Sequence, residues 1–388
     1  MSHALIRCRP FPRGLLAGLA AGLLLAAAPV QAQPALPGSF IRDLEGLEAW
    51  LAQAPAEVGK QASRQAERLA GGNAADRWAR ALYLQLAAGA AARQGEHGRA
   101  AAWLSAAAES EAAPAAWRRA RLREAALQHR AAGETAAAVA RLGRWLEAAS
   151  APPVEERWRL IGWLAELERW EAAAARLDAL AARPREEARR ALALSVYRRA
   201  GRDGEALALL REGLDREASP AAWRRAAALA QQLGDPGLAA ALWEAGWRRG
   251  ALSGAQDLRR LARLHLAGGT PARAAEHLER GLAAGVLDDD ARLRRLLATA
   301  WEAARYHARA LSAWEAVARD SERAADWLRL GQLAHGWGEE ALAGRALRRA
   351  RALGAGEAEA WLASLPGEAG QGAPPAGDQS ESSVQTGA

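Results

Sequence analysis

The chain has 388 residues, a formal net charge of +7 and a single cysteine, so an internal disulfide framework is excluded. Alanine, leucine and arginine dominate and glutamate is also frequent, whereas only 5% of the residues are aromatic, with 2 Phe and 3 Tyr. Because these residues favour helices and β-formers are scarce, we predict an all-α protein.

The first 32 residues have the pattern of a secretory signal. Three arginines (Arg7, Arg9 and Arg13) precede an apolar run at 14–28, and the small-residue site Val-Gln-Ala ends at Ala32. A run of about 15 residues is short for a membrane-spanning helix, which needs about 20, although an uncleaved anchor remains the alternative. We therefore predict cleavage after Ala32 and a periplasmic protein without a membrane span.

Cleavage would change the charge and the cysteine content. Removing residues 1–32 takes away three arginines, no acid and Cys8, so the net charge falls from +7 to +4. Cys8 also precedes the apolar run, which excludes a lipoprotein cysteine. Export and a nearly balanced charge argue against a nucleic-acid partner.

The rest of the chain divides by composition. Residues 33–79 are predicted to be a linker and N-terminal capping helices, with the segments "IRDLEGLEAWLAQ" and "EVGKQASRQAERLA". A repeat array is predicted at 80–355 and a final helical segment at 356–364. Residues 365–388 are rich in Gly, Pro, Ser and Gln, and are predicted to be disordered.

The array is marked by an alanine that recurs every 33 to 38 residues. These marker alanines are Ala100, Ala138, Ala173, Ala206, Ala239, Ala274, Ala310 and Ala343. Four residues after each marker comes a large apolar residue, and twelve residues before it an apolar and mostly small one, such as Gly331. Turn phrases such as "LGDPG" (233–237) fall between these two positions, which indicates that each unit is a helix–turn–helix.

Small residues on both helices would let the two helix axes approach closely, and the large residue one turn later would fill the gap beside the contact. The predicted repeat-packing residues are Ala206, Ala239, Ala274, Ala310, Ala343 and Gly331. A non-repeating alanine-rich bundle is the alternative interpretation.

The pattern resembles the tetratricopeptide repeat (TPR), most closely in "WLRLGQLA" (327–334) and "SPAAWRRAAALAQQLGDPGLAAALWEAG" (219–246). The resemblance implies a right-handed superhelical solenoid of about eight TPR-like repeats that binds proteins on its concave face. Ile161 departs from it, because a small residue is usual at that position.

The C-terminal half also resembles the exported TPR proteins encoded in TonB/ExbB/ExbD gene clusters, in phrases such as "GGTPARAAEHLERGL" and Ala-Trp-x-Ala-Ala at 300–304. The partners that this resemblance implies are TonB, ExbB and ExbD. Adaptors of cell-wall or polysaccharide assembly, which also use such arrays, are the alternative.

Catalytic patterns are missing from the sequence. It has no His-Glu-x-x-His, no Gly-x-Ser-x-Gly and no phosphate-loop motif, so we predict a protein that is not an enzyme and has no cofactor and no metal. His265 and His277 are twelve residues apart on different helices, and we interpret them as structural. Asp288, Asp289 and Asp290 suggest calcium, but a helix cap explains them better.

A basic surface remains as the candidate site. Projection from the marker alanines places more arginines than acids on the groove-facing side of the first helices, and a guanidinium suits a carboxylate. The predicted partner-binding residues are Arg123, Arg130, Arg198, Arg199, Arg224, Arg259, Arg263, Arg292 and Arg295. We expect them to hold an acidic or C-terminal segment of a partner protein. The alternative is that an arginine-rich chain places arginine on every solvated face.

Overall fold

A computed structural model of the chain describes residues 35–215 and 217–365. The predicted signal peptide at 1–32 and all of the predicted tail after residue 365 lie outside these residues. The described part contains nineteen α-helices and no strand, which confirms the all-α prediction. Among the described residues, no helix is both long enough and apolar enough to cross a membrane.

The helices are α1 (Gly38–Trp50), α2 (Pro55–Arg68), α3 (Ala74–Arg93), α4 (His97–Ala108), α5 (Ala115–Ala131), α6 (Thr135–Ala148), α7 (Val154–Glu166), α8 (Trp170–Asp178), α9 (Glu187–Arg199), α10 (Asp203–Glu212), α11 (Pro220–Gln232), α12 (Pro236–Arg248), α13 (Gly254–Ala267), α14 (Pro271–Ala283), α15 (Ala291–Ala303), α16 (His307–Ser321), α17 (Ala324–Gly336), α18 (Glu340–Ala352) and α19 (Glu357–Ala363).

The chain forms two compact units. Unit 1 ends at Arg176 and contains α1 to α7 with most of α8, and unit 2 begins at Leu177 and contains α9 to α19. Within each unit, helices pack mainly against their neighbours in sequence, as in a stacked repeat. Eight consecutive pairs, from α3/α4 to α17/α18, each carry one marker alanine on the second helix. The predicted all-α array of helix–turn–helix repeats is therefore confirmed, although its predicted start at residue 80 falls inside α3.

The small residues of the repeat are buried, and Gly331 lies where the two helices of its pair touch. All eight marker alanines are fully buried, and Gly331 is buried against the helix that carries Ala343. A Cβ atom added to Gly331 would come within 2.6 Å of Leu347 Cγ. The close approach of α17 and α18 therefore depends on the missing side chain at residue 331.

The predicted turn phrases end the first helix of a pair. Gly133, Gly201, Gly234 and Gly269 all have positive φ angles, between 70° and 81°. The next backbone N–H returns to the helix, as when Asp235 N donates to Ala230 O at 3.0 Å. This hydrogen bond is the Schellman helix end, which needs a left-handed residue and therefore favours glycine.

One residue of the acidic triplet before α15, Asp290, caps this helix. Asp290 is the N-cap residue, and its carboxylate accepts a hydrogen bond of 2.7 Å from Leu293 N. Asp289 accepts hydrogen bonds from the Arg294 guanidinium. The capping interpretation is confirmed, because the carboxylates meet free helix amides and nearby arginines.

The pair α9/α10 departs from the pattern. Leu194 and Leu210, at the two regular core positions, are only half-buried, whereas Ala193, Val196 and Tyr197 are buried. The buried face of α9 is therefore rotated relative to the expected one. Ile161, the residue that departs from the TPR pattern, is fully buried in unit 1.

Candidate functional site

Most of the predicted partner-binding arginines already have a partner inside the chain. Six of the nine form ion pairs with carboxylates: Arg123 with Glu156, Arg130 with Glu166, Arg198 with Asp203, Arg224 with Asp257, Arg259 with Asp290 and Arg295 with Asp326. Arg199 also has an interaction within the chain. The basic surface expected from the sequence is therefore largely neutralised by acids that belong to the protein itself.

Three of these ion pairs in unit 2 form a regular series. We call Arg224, Arg259 and Arg295 the arginine row, because each lies fifteen residues before its marker alanine, on α11, α13 and α15. Each guanidinium reaches an acid at the start of the next first helix, with Arg224 Nη2 2.8 Å from Asp257 Oδ2 and Arg259 Nη2 2.8 Å from Asp290 Oδ2. The row therefore links successive repeats.

The row is still accessible to solvent, because its side chains are 49%, 28% and 39% exposed. Arg263 and Arg292 lie beside it on α13 and α15, and both are exposed. Neither has an ion pair among residues 35–215 and 217–365. Arg263 is four residues from Arg259 and Arg292 three from Arg295, so each lies on the same helix face as a member of the row.

A second kind of contact also recurs between repeats. The residue five after a marker alanine meets the residue nine before the next marker, in the pairs Ser105–His129, Asp178–Tyr197, Glu244–His265 and Glu279–Trp301. Three of the four are hydrogen bonds of 3.0 to 3.2 Å, each to an oxygen on the second helix of the preceding repeat. The distance from His265 Nε2 to Glu244 Oε2 is longer, at 3.6 Å.

The exception is part of a buried group of three side chains. We call Glu244 on α12, His265 on α13 and His277 on α14 the Glu–His–His cluster. Their side chains are 8%, 3% and 9% exposed, and one potential ligand atom from each lies within 4.8 Å of the others. His277 Nε2 is 3.4 Å from Glu244 Oε1, and the two imidazoles stack with centroids 5.5 Å apart.

Two arginines and burial set the charges of this cluster. Arg248 Nη2 lies 2.6 Å from Glu244 Oε1, and Arg273 Nη1 lies 2.7 Å from Oε2. Burial opposes ionisation of Glu244, but Arg273 and Arg248 outweigh it, so the pKa of this carboxyl is lowered. Burial lowers the pKa of both imidazoles, and the attraction of Glu244 offsets this only in part. At neutral pH the cluster holds an ionised carboxylate and two neutral imidazoles.

The sequence did not reveal the cluster, because Glu244 is 21 residues from His265 and belongs to another repeat. The repeat phase does contain a signal. His129 and His265 occupy equivalent positions, and the residue that faces each can be read five positions after the preceding marker alanine. This rule finds Ser105 for His129 and Glu244 for His265.

No family model matches the sequence. No curated protein matches it. Solved structures similar to the chain are helical-repeat proteins, and two of them are a tetratricopeptide repeat protein from Parabacteroides merdae and the pentatricopeptide repeat protein PPR10 from maize. The first has 14% identity and a TM-score of 0.32 and covers 68% of this chain and 99% of its own. The second has 16% identity and a TM-score of 0.33 and covers 86% of this chain and 52% of its own.

A third similar structure is the C-terminal part of a TPR repeat-containing protein from Cytophaga hutchinsonii, with 11% identity and a TM-score of 0.29 over 71% of this chain and 94% of the other. The chain spans about half the length of the maize protein. At these identities and TM-scores, the assignment of the repeat rests on the helix pairs and small-residue contacts of the chain itself.

Proposed function

We propose that the protein is a non-enzymatic, exported scaffold that binds a segment of a partner protein on the first helices of its repeats. The arginine row, together with the exposed Arg263 and Arg292 beside it, is the observation that carries this proposal. It presents partly exposed guanidinium groups at the same repeat position on α11, α13 and α15 of unit 2. A surface repeated in this way suits an extended or helical segment that contacts several repeats at once.

The internal ion pairs leave donors free for a partner. A guanidinium has five N–H donors, and the hydrogen bonds to Asp257 and Asp290 use two donors of Arg224 and one of Arg259. The uncompensated positive charge on this face comes from Arg263 and Arg292 rather than from the row. The partner segment would therefore place carboxylates at Arg263 and Arg292 and carbonyl oxygens along the row.

We further propose that the protein acts in the periplasm, with the TonB–ExbB–ExbD apparatus as its partner. The predicted signal peptide supports the location, and the resemblance of the C-terminal half to exported TPR proteins supports the partner. The alternative is an adaptor of cell-wall or polysaccharide assembly.

Affinity capture from envelope extracts, with the captured proteins identified by mass spectrometry, tests both the binding surface and the identity of the partner. The bait is the whole chain, and it is compared with an Arg263→Glu/Arg292→Glu variant and with an Arg319→Glu/Arg345→Glu variant. The second variant makes the same change of charge on the second helices α16 and α18. We expect the first variant to capture at least tenfold less of the partner than the unchanged chain does, and the control variant to capture as much.

The outcomes separate the claims. Recovery of TonB, ExbB or ExbD supports the energy-transduction role, whereas recovery of cell-wall or polysaccharide enzymes supports the adaptor. If both variants capture the partner as the unchanged chain does, the first-helix surface is the wrong site. If no protein is enriched over an unrelated helical-repeat bait, the scaffold proposal fails.

A further inference from the structure

The Glu–His–His cluster contains a buried nitrogen atom without a hydrogen-bond partner. His265 Nε2 is shielded from solvent, and it neither accepts nor donates a hydrogen bond among the described residues. An unpaired polar atom in a buried site is destabilising. His265 Nε2 is one of seven such side-chain atoms among the described residues, and it belongs to the Glu–His–His cluster. The atom points at Glu244 Oε2, 3.6 Å away, which is beyond hydrogen-bonding distance.

Thr270 contacts His265 at two atoms. Its hydroxyl oxygen lies 2.8 Å from His265 Nδ1 and 3.2 Å from the His265 carbonyl oxygen. In the tautomer with the proton on Nδ1, the hydroxyl accepts from Nδ1 and donates to the carbonyl oxygen. The lone pair of Nε2 then faces the Glu244 carboxylate, and a cation between these two acceptors would satisfy both.

We propose that Glu244, His265 and His277 bind a divalent transition-metal ion, for which zinc is the best match. Two imidazole nitrogens and one carboxylate oxygen form a known donor set for zinc, with a fourth position open to water. Metal–ligand bonds of about 2.0–2.1 Å in a tetrahedral site place ligand atoms about 3.4 Å apart. His277 Nε2 lies 3.4 Å from Glu244 Oε1, and His265 Nε2 lies 3.6 Å from the other oxygen, Oε2. One ligand atom from each of the three residues lies within 4.8 Å of the others, so the side chains would move closer together around the ion.

The surroundings of His265 also suit a ligand. A metal-binding histidine usually donates its other N–H to an oxygen, which fixes the ring and the tautomer. The Nδ1 contact with Thr270 does this, and it turns Nε2 towards the other two side chains. The three residues lie on α12, α13 and α14, so a bound ion would connect the second helix of one repeat to both helices of the next.

Arg248 and Arg273 compete with the ion for Glu244. Each guanidinium hydrogen-bonds one oxygen of this carboxylate, so at least one must move when a metal binds. Both arginine side chains are more than half exposed, at 64% and 53%, and can turn into solvent. We therefore expect a site that is weaker than a dedicated zinc site and that becomes tighter when one arginine is removed.

The test is calorimetric titration of zinc into the whole chain at pH 7.5, with a purification tag that contains no histidine. Thermal melting with and without zinc is recorded in parallel. We expect one zinc ion per chain and a rise in Tm that a chelator reverses, since a ligand that binds the folded state stabilises it. Cobalt should give the visible absorption of a low-coordinate nitrogen–oxygen site.

Variants assign the binding to the cluster. We expect Glu244→Gln and His277→Gln to weaken binding at least tenfold, Arg273→Gln to tighten it several-fold, and His307→Gln, which changes an exposed histidine on α16, to leave it unchanged. Arg273 is exposed, so its variant remains informative if a change in the buried group prevents folding.

Any of three results would overturn the proposal. One is that neither the unchanged chain nor Arg273→Gln shows one-to-one binding or a zinc-dependent Tm. The second is that folded Glu244→Gln binds zinc as tightly as the unchanged chain, and the third is that Arg273→Gln binds more weakly.

Discussion

A single methyl group added at Gly331 tests the packing argument for the repeat. The Cβ atom of Gly331→Ala would lie 2.6 Å from Leu347 Cγ and 2.7 Å from Cδ2, far inside the usual carbon–carbon contact of about 3.5–4.0 Å. Leu347 is fully buried, and its backbone nitrogen is also within 3.3 Å of the new atom. Leu347 therefore cannot give way without moving α18 or a neighbouring side chain.

The expected magnitude is a balance of two effects. Alanine is better than glycine inside a helix by about 1 kcal/mol. Overpacking a tight core costs about 1–3 kcal/mol. We therefore expect the free energy of unfolding of Gly331→Ala to fall by up to about 2 kcal/mol.

Gly162 in α7 provides the matched control. It occupies a similar place in a first helix, but a Cβ atom there would meet no atom within 4 Å. Gly162→Ala should therefore gain about 0.5–1 kcal/mol of stability from helix propensity alone. The difference between the two variants isolates the effect of the close contact.

Urea unfolding followed by circular dichroism gives both values, provided that the m-value is unchanged, because repeat arrays can lose cooperativity. The decisive comparison is between the two variants. If Gly331→Ala is stabilised as much as Gly162→Ala, the helices do not approach as closely as the structure indicates, and the role of the small residues is wrong.

Three further predictions concern polar groups. Arg224→Gln should lower the free energy of unfolding by about 1 kcal/mol, because the buried Asp257 carboxylate would keep, among the described residues, only the Ser253 N–H as a donor. If the variant and the unchanged chain have the same urea midpoint at low salt, this prediction is wrong. Asp290→Ala should cost at least about 1 kcal/mol, because it removes both the Leu293 N cap and the partner of Arg259, whereas Asp288→Ala should be neutral; equal urea midpoints would refute the cap. Burial lowers the pKa of His265 and His277, so below the unfolded histidine pKa of about 6.5 the unfolded chain binds more protons than the folded one. The free energy of unfolding, measured in chelator, should therefore fall from pH 7 towards pH 5.5, and it should fall less steeply in His277→Gln. A urea midpoint that does not change with pH would contradict this.

The sequence predicted the backbone well, because helix pairs depend on local periodicity. The marker alanines and the glycine turns repeat in phase, so eight pairs could be placed from their spacing. The pair α9/α10 was harder, since its apolar residues are so frequent that Ala193 and Leu194 fit the core equally well.

The charged surface was harder to predict, because side-chain partners come from different repeats. The position of an arginine on its own helix does not indicate which acid the next repeat supplies. Asp257 and Asp326 both lie seventeen residues before a marker alanine, and each meets the arginine of the preceding repeat. A comparison of positions between neighbouring repeats, rather than within one, would have found these pairs and the Glu–His–His cluster.

We expect polar contacts between repeats to favour one register of neighbouring helices over slipped ones. Small apolar residues recur every three or four positions along these helices, so a slip of one turn, about 5.4 Å, would place alanine against alanine again. The same slip would break the Arg224–Asp257 pair, move Tyr197 away from Asp178 and remove Trp301 from Glu279. Buried or half-buried polar pairs add little net stability, but removing one partner is costly. Small residues thus set how closely the helices approach, and the polar pairs set which turn of one helix meets which turn of the next.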